Sequence, residues 1–195
     1  HVEGLPAILA AHPARVTGAA ADAHRLPPLD DTVSEGDAVT VGSERGTVIE
    51  VPGHTVGHIA FHFPDSGLVF TADSLMALGC GRLFEGTPDQ MWQSLSKLAA
   101  LPADTLVCSG HEYTLNNARW ATGVDPDNAA LAERAARIAE ARAEGRATVP
   151  STLSEELATN PFLRAADPGL QEAMGMAGAR PVEVFTALRR SKDAF

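Results

Sequence analysis

The chain lacks a long apolar run, a set of paired cysteines and an excess of positive charge, and each shortage excludes a class of protein. No apolar stretch approaches the roughly 18 residues that a membrane span needs, which excludes a transmembrane protein. Two cysteines, Cys80 and Cys108, cannot build a disulfide framework and suit a reducing compartment, so we expect a cytoplasmic location. The 15 Lys and Arg residues face 25 Asp and Glu, and the net charge of −10 argues against nucleic-acid binding, which depends on clustered cations.

The composition is that of an ordinary folded protein. Hydrophobic residues make up 45% and charged residues 21% of the 195 positions, which excludes a disordered chain. The length allows one large domain or a medium domain with a small one. The sequence opens on His1 without an initiator Met, and we expect it to begin inside a longer protein.

The first 120 residues consist mainly of short β-rich runs separated by turn residues. Six runs predict strands, at 15–17, 38–41, 46–51, 58–63, 68–71 and 105–109. One helix interrupts them, because Thr87 and Pro88 supply a cap and a first-turn proline before apolar residues at 91, 92, 95 and 98. This half therefore predicts a layered α/β or α+β domain.

The strand pattern ends near residue 120, and the remainder predicts helices. They cover 128–144 and 152–158 and begin again at Pro168 and at Pro181, where proline suits the first helical position. We therefore predict two parts, a layered domain over residues 1–118 and a small all-helical domain over residues 119–195.

Three predicted strand ends carry residue types that bind transition metals. His54 lies in the glycine-containing turn 52–58, Asp73 follows an apolar strand, and His111 follows another. Neutral imidazoles with a carboxylate suit Zn²⁺, Fe or Mn, and two carboxylate oxygens can bridge two ions. A lone strand-end histidine is more often a surface residue, and such an aspartate commonly forms a turn. The residues alone leave both interpretations open.

The motifs resemble those of a known family. The runs GHTVGH (53–58), TAD (71–73), GCGRLFEG (79–86), GHEYT (110–114), NPFLR (160–164) and RRSKDAF (189–195) look like glyoxalase II, the hydroxyacylglutathione hydrolase family of the metallo-β-lactamase superfamily. The first two runs are shared across the superfamily, whereas the others are specific to glyoxalase II. The resemblance implies an α+β fold: a metallo-β-lactamase αββα sandwich, lacking its N-terminal part here, followed by a small all-α domain.

The resemblance also implies a dinuclear metal site. It makes His54 a ligand of the first metal, Asp73 the bridging carboxylate and His111 a ligand of the second metal. His1 resembles the last histidine of the family's His-x-His-x-Asp-His signature and is expected to bind the second metal, with the other ligands of that signature upstream. The implied cofactors are two divalent ions, zinc first, with iron or manganese as alternatives.

Substrate contacts follow from the same resemblance. Arg82 and Tyr113 are expected to contact the glutathione moiety, and Arg189 and Lys192 to bind its glycine carboxylate. The alternative for the last two is that cations near a helix C-terminus favour the helix dipole. His58 is expected to support the metals from nearby without binding them.

The implied reaction is metal-dependent hydrolysis of a thioester. S-(2-hydroxyacyl)glutathione, such as S-D-lactoylglutathione, would be cleaved to glutathione and a 2-hydroxy acid by a hydroxide bridging the metals held by His54, Asp73 and His111, in methylglyoxal detoxification. Neither cysteine is expected to be a nucleophile. The partner is a small molecule, with no nucleic acid or membrane, and we expect a monomer. Two alternatives are a persulfide dioxygenase-like relative with one iron and an inactive fragment lacking half its ligands.

Overall fold

A six-stranded sheet forms the centre of the protein in a computed structural model that describes residues 2–195. From one edge to the other its strands are β10 (Ser151–Thr152), β9 (Leu106–Ser109), β6 (Leu68–Ala72), β5 (Ile59–Phe63), β4 (Glu44–Glu50) and β3 (Ala38–Val41). Two small sheets accompany it, a parallel pair of β1 (Thr17–Ala19) with β2 (Asp31–Val33) and an antiparallel pair of β7 (Leu75–Met76) with β8 (Gly79–Cys80).

Seven α-helices lie along residues 2–195: α1 (Leu5–Ala11), α2 (Pro88–Ala99), α3 (Thr114–Val124), α4 (Ala129–Ala143), α5 (Leu153–Thr159), α6 (Pro168–Ala173) and α7 (Pro181–Ala194). The start of α2 confirms the predicted cap. Gln90 N–H donates to the Thr87 hydroxyl at 3.2 Å, and Thr87 N–H donates to the Gln90 side chain at 2.9 Å. This capping box satisfies two backbone donors that the first helical turn leaves open.

The sequence pattern missed α3 and the shortest strands. The segment of α3 contains Asn, Thr and Gly123, which are weak helix formers, so its helix rests on burial of Ala118, Trp120 and Ala121. The C-terminal part is helical except for β10, whose Ser151 pairs with Val107. A strand of two residues is too short to show a periodicity. The predicted division between residues 118 and 119 falls within α3.

The order of the strands brings three loops to one edge of the sheet. The neighbouring strands β6 and β9 run parallel, with Ala72 opposite Ser109, so the residues that follow them emerge side by side. Strand β4 is antiparallel to β5, which is antiparallel to β6, so β4 also ends at this edge. The turn between β4 and β5 therefore reaches the same place, which is where the candidate site lies.

The C-terminal helices pack on the sheet-bearing half through a shared apolar core. Phe162 and Phe185 are fully buried, with ring centroids 5.6 Å apart, and Trp120 stacks on Phe162 at 5.0 Å. Burying one such side chain stabilises the fold by about 1.5–3 kcal/mol. The cluster continues to Leu75 and Leu78 beside the site, so the helices are fixed relative to it. Among residues 2–195 no helix combines the length and the apolar character that crossing a membrane requires.

Candidate metal centre

The structure brings together the three strand-end side chains that the sequence singled out. His54 Nε2 lies 3.5 Å from Asp73 Oδ2, and His111 Nε2 lies 3.3 Å from Asp73 Oδ1. Each imidazole thus faces a different oxygen of one carboxylate. His1 lies outside the described residues, so its predicted role as a ligand remains a prediction.

These separations suit metal ligands. Two ligands at about 2.0–2.2 Å from a tetrahedral ion lie about 3.4 Å from each other, and both imidazole–carboxylate distances fall near that value. Within residues 2–195 no group of three or more His, Cys, Asp or Glu side chains is placed so that it could hold a metal ion by itself. The described arrangement is instead a central carboxylate, Asp73, with His54 on one side and His111 on the other.

The tautomer of His54 leaves the correct nitrogen available. Its Nδ1 lies 2.8 Å from the carbonyl oxygen of Arg82, an acceptor only, so Nδ1 carries the proton and donates it. In the neutral ring Nε2 then presents a lone pair toward the Asp73 carboxylate. A lone pair facing an anion is unfavourable unless a cation lies between them, so the donor set fits a divalent metal.

The backbone around Asp73 is tightly constrained. Ala72 has φ of +44°, a left-handed conformation that is unusual for a residue with a side chain and that turns the chain at the end of β6. A Cβ on Gly81 would lie 2.1 Å from the Asp73 carbonyl oxygen and 2.9 Å from His54 Nδ1. A Cβ on Gly110 would lie 2.6 Å from Asp73 Oδ1. Glycine is therefore required at both positions for the ligands to approach.

His58 contacts the backbone of the central carboxylate residue. Asp73 N–H donates to His58 Nε2 at 3.2 Å, and His58 Nδ1 lies 3.4 Å from the Thr55 hydroxyl. Burial and the neighbouring His54 lower the pKa of His58 below its ordinary value, which favours the neutral ring that can accept this bond. His58 thus supports the backbone of Asp73, and its role beside the metals stays a prediction.

A cavity of about 740 Å³ connects these three ligands to a group of cations. The residues that line it include His54, Asp73, Gly81, Arg82, Phe84, His111, Tyr113, Asn116, Arg189, Lys192 and Phe195. The helical C-terminal part supplies α7 as one wall. All four predicted substrate-binding residues thus lie around the same cavity as the predicted metal ligands.

The four predicted substrate-binding side chains differ in how closely other residues already hold them. Tyr113 stacks on His111 with centroids 4.7 Å apart, and Arg82 is largely exposed, with Nε 3.7 Å from Asp193 Oδ1. Lys192 Nζ donates to Asn116 Oδ1 at 2.5 Å.

Arg189 lines the cavity from a buried position. Nη1 donates to the Cys80 carbonyl at 2.8 Å, and Nη2 pairs with Asp193 at 2.9 Å. The guanidinium carbon also lies 5.1 Å from the centre of the Phe162 ring. Arg189 therefore has a structural role in addition to its place in the cavity wall.

One residue that lines the cavity was not predicted from the sequence, and a second was predicted to be unreactive. Asn116, which orients Lys192, carries no motif of its own, and only its position after the 110–114 run could have indicated it. Cys80 is buried, and this burial raises the pKa of its thiol to about 11, so little thiolate is present at neutral pH. Both cysteines are free thiols.

Two family profiles and several named relatives match the chain. The profile described as "Metallo-beta-lactamase superfamily" matches residues 1–111, and "Hydroxyacylglutathione hydrolase C-terminus" matches residues 112–195. Proteins named hydroxyacylglutathione hydrolase from Cereibacter sphaeroides and Ruegeria pomeroyi are 67% and 68% identical over 195 residues. Each match covers 100% of this chain and 76% of the relative.

Solved structures resemble the chain in fold. The BLEG-1 B3 metallo-beta-lactamase superposes with a TM-score of 0.60 at 20% identity, covering 84% of this chain and 71% of that one. ETHE1 from Myxococcus xanthus gives 0.60 at 25% identity, covering 100% and 72%. TTHA1623 in a di-iron-bound form gives 0.55 at 26%, covering 84% and 72%. These matches confirm the predicted α+β metallo-β-lactamase fold. The named relatives and the matched C-terminal profile favour glyoxalase II over the two alternatives. The chain belongs to the hydroxyacylglutathione hydrolase (glyoxalase II) family of the metallo-β-lactamase superfamily.

Proposed function

We propose that this protein is a hydroxyacylglutathione hydrolase, a metal-dependent thioester hydrolase that cleaves S-D-lactoylglutathione to glutathione and D-lactate. The observation that carries the proposal is one cavity lined both by the imidazoles and carboxylate of the metal centre and by the cations Arg82 and Lys192. A glutathione thioester is an anion with a reactive carbonyl, so its binding needs the cations and its cleavage needs the metal centre. Relatives of the same name at 67% and 68% identity support this substrate.

The proposed site binds divalent metal through His54, Asp73 and His111, with His1 as a further ligand. Asp73 lies with one oxygen toward each imidazole, which supports a bridging role between two ions. We propose zinc, because neutral imidazole and carboxylate are ligands that zinc prefers; the di-iron form of TTHA1623 keeps iron as the alternative. When bound, the ions would supply a water of lowered pKa and stabilise the charge that develops on the thioester oxygen.

The chain's own residues bind and orient the substrate. Arg82 and the Tyr113 phenol lie beside the metal ligands and contact the glutathione moiety, while Lys192 and Arg189 bind its glycine carboxylate. The leaving thiolate requires no protonation by the protein, because an ordinary thiol pKa lies near 8–9. The buried thiol of Cys80 is not a nucleophile in this scheme.

The C-terminal helices supply part of the substrate-binding wall of the cavity. We propose a division into a catalytic domain over residues 1–118 and a substrate-binding domain over residues 119–195, because α7 carries Arg189 and Lys192. We further propose a cytoplasmic monomer acting on a small molecule without nucleic-acid or membrane partners. The free thiols of Cys80 and Cys108 support a reducing compartment, and the net charge of −10 disfavours nucleic acid.

Metal analysis combined with a thioester assay tests the proposal. We expect two divalent ions per chain in the intact enzyme and thioester-dependent release of glutathione thiol from S-D-lactoylglutathione. One iron with oxygen consumption on a glutathione persulfide would instead indicate the dioxygenase. Absence of both metal and hydrolysis would indicate an inactive protein.

A further inference from the structure

A group of charged side chains lies beside the turn that carries His54 and takes no part in the proposed chemistry. Arg25 donates to both carboxylate oxygens of Glu85, with Nη2 2.9 Å from Oε2. The same Nη2 donates to Asp22 Oδ1 at 2.8 Å. Asp22 is buried, and the Arg25 and Glu85 side chains are about one third exposed. Arg25 therefore links two distant segments of the chain.

The turn that carries His54 is held against residues 82–86 by backbone groups. His54 Nδ1–H donates to the Arg82 carbonyl, Phe84 N–H donates to the His54 carbonyl at 3.3 Å, and Gly86 N–H donates to the Gly53 carbonyl at 3.1 Å. These bonds fix the N-terminal side of the turn. After His54, the Thr55 carbonyl accepts from Gly53 N–H at 3.0 Å, and the segment around Val56 has a further support.

Glu85 supplies that support from a side chain. Val56 N–H donates to Glu85 Oε2 at 2.9 Å, on the carboxylate that Arg25 grips. Val56 is itself 52% exposed, so apolar packing does little to hold this part of the turn. The hydrogen bonds from Arg25 and then Val56 lower the pKa of Glu85 to about 2, and the carboxylate stays ionised at neutral pH.

Asp22 confines the turn from the opposite direction. A Cβ on Gly57 would lie 2.2 Å from the Asp22 carboxyl carbon, so that carboxylate lies against the backbone directly after Val56. Arg25 thus holds one carboxylate at Val56 and another at Gly57. The two contacts leave the turn little freedom to move away from the metal end of the cavity.

We propose that Arg25 is a positioning residue for the metal-binding imidazole of His54, acting through Glu85 and Asp22 on the turn 53–57. The inference rests on the proposed function in assigning His54 as a ligand. Partners that orient a metal ligand typically change metal affinity about 10- to 100-fold when removed. An exposed ion pair with no such role contributes little to the stability of a protein.

The test measures the affinity of the intact enzyme for Zn²⁺ by chelator competition, together with kcat and KM for S-D-lactoylglutathione. In Arg25→Ala and in Glu85→Ala we expect one of two zinc affinities to weaken by about 10- to 100-fold. We expect kcat at subsaturating zinc to fall with it, and KM to stay within about two-fold because the cations around the substrate are unchanged.

Two conservative variants keep the test decisive if an alanine variant unfolds. Glu85→Gln retains an acceptor for Val56 N–H, and its zinc affinity should lie between those of the wild type and Glu85→Ala. Arg25→Lys retains the charge but loses the two-pronged guanidinium and should also show an intermediate loss of zinc affinity.

Arg15→Ala is the matched control. Arg15 grips both oxygens of Asp31, at 2.9 and 2.5 Å, as Arg25 grips Glu85, but it does not contact the turn. We expect unchanged zinc affinity in this variant. Unchanged affinity in both Arg25→Ala and Glu85→Ala, or an equal loss in Arg15→Ala, would overturn the positioning role. A wild type that binds two zinc ions but does not hydrolyse the thioester would contradict the proposed function alone.

Discussion

The two ends of the cavity are held in place by different kinds of interaction. At the metal end, backbone groups fix the ligands: the Arg82 carbonyl accepts from His54, and Asp73 N–H donates to His58. At the cation end, the contacts are made by the tips of long side chains, as in Lys192 with Asn116 and Arg189 with the Cys80 carbonyl. Backbone contacts cannot adjust without moving the chain, whereas a long side chain can change rotamer. We therefore expect the metal end to tolerate almost no change and the cation end to tolerate some.

The difference also separates chemistry from binding. Groups at the metal end touch the reacting atoms, so their loss should lower metal content and kcat. Groups at the cation end touch a remote part of the substrate in both ground and transition states, so their loss should appear mainly in KM.

Removal of the central carboxylate should have the largest effect. Asp73→Ala takes away the group that faces both imidazoles, and no neighbouring imidazole can replace two oxygens. We expect loss of at least one metal equivalent and a fall in kcat beyond the roughly 100-fold typical of an outer partner. Metal analysis and steady-state kinetics on the intact enzyme check this. Retention of two tightly bound ions would remove Asp73 as the bridge.

A methyl group at the metal end should be nearly as damaging. The added Cβ of Gly81→Ala would overlap the Asp73 carbonyl and press on His54 Nδ1, so both ligands must shift. A displacement of about 1 Å can cost roughly 100-fold in rate. Gly123→Ala, where no atom lies within 4 Å of the new Cβ, serves as the control and should be neutral or stabilising by up to about 1 kcal/mol. Equal activity of the two variants would show that the metal end tolerates movement.

At the cation end, substitutions of the two α7 residues Lys192 and Arg189 should have different effects. Lys192→Ala should raise KM about 10- to 100-fold, the worth of a charge-assisted hydrogen bond, with little change in kcat. Arg189→Ala should also lower stability by about 1–3 kcal/mol, because the buried Cys80 carbonyl loses its donor. Kinetics beside chemical denaturation distinguish them. If neither variant changes KM, these cations serve only the helix and its packing.

The charge of Lys192 should make substrate binding depend on pH. Burial, Arg189 and Arg82 lower the pKa of Lys192 to about 8. A lysine is charged below its pKa, so the ammonium is lost as pH rises through 8. We expect KM to rise by up to about 10-fold between pH 8 and 10, while Lys192→Arg stays flat because arginine keeps its charge. Identical pH profiles for the two proteins would assign the change to another group.

The sequence predicted the metal end better than the cation end, for physical reasons. The strand ends alone left surface roles for His54, Asp73 and His111 open, and it was the family motifs that implied one metal site. The parallel pairing of β6 with β9 places Asp73 and His111 at the same edge of the sheet. Helix periodicity does not reveal how deeply one face packs, and the burial of Arg189 was not anticipated. Nor could local patterns link Arg25 to Glu85, which are 60 positions apart and meet only because the tertiary fold brings them together.

Anomalous diffraction at the zinc edge, from crystals of the intact enzyme grown with Zn²⁺, tests most directly whether Asp73 joins two ions. We predict two peaks, roughly 3.5–4 Å apart as in other two-metal sites. One peak should lie beside His54 Nε2 and Asp73 Oδ2, and the other beside His111 Nε2 and Asp73 Oδ1. A single peak, or two peaks that leave either Asp73 oxygen without an ion, would contradict the bridging role.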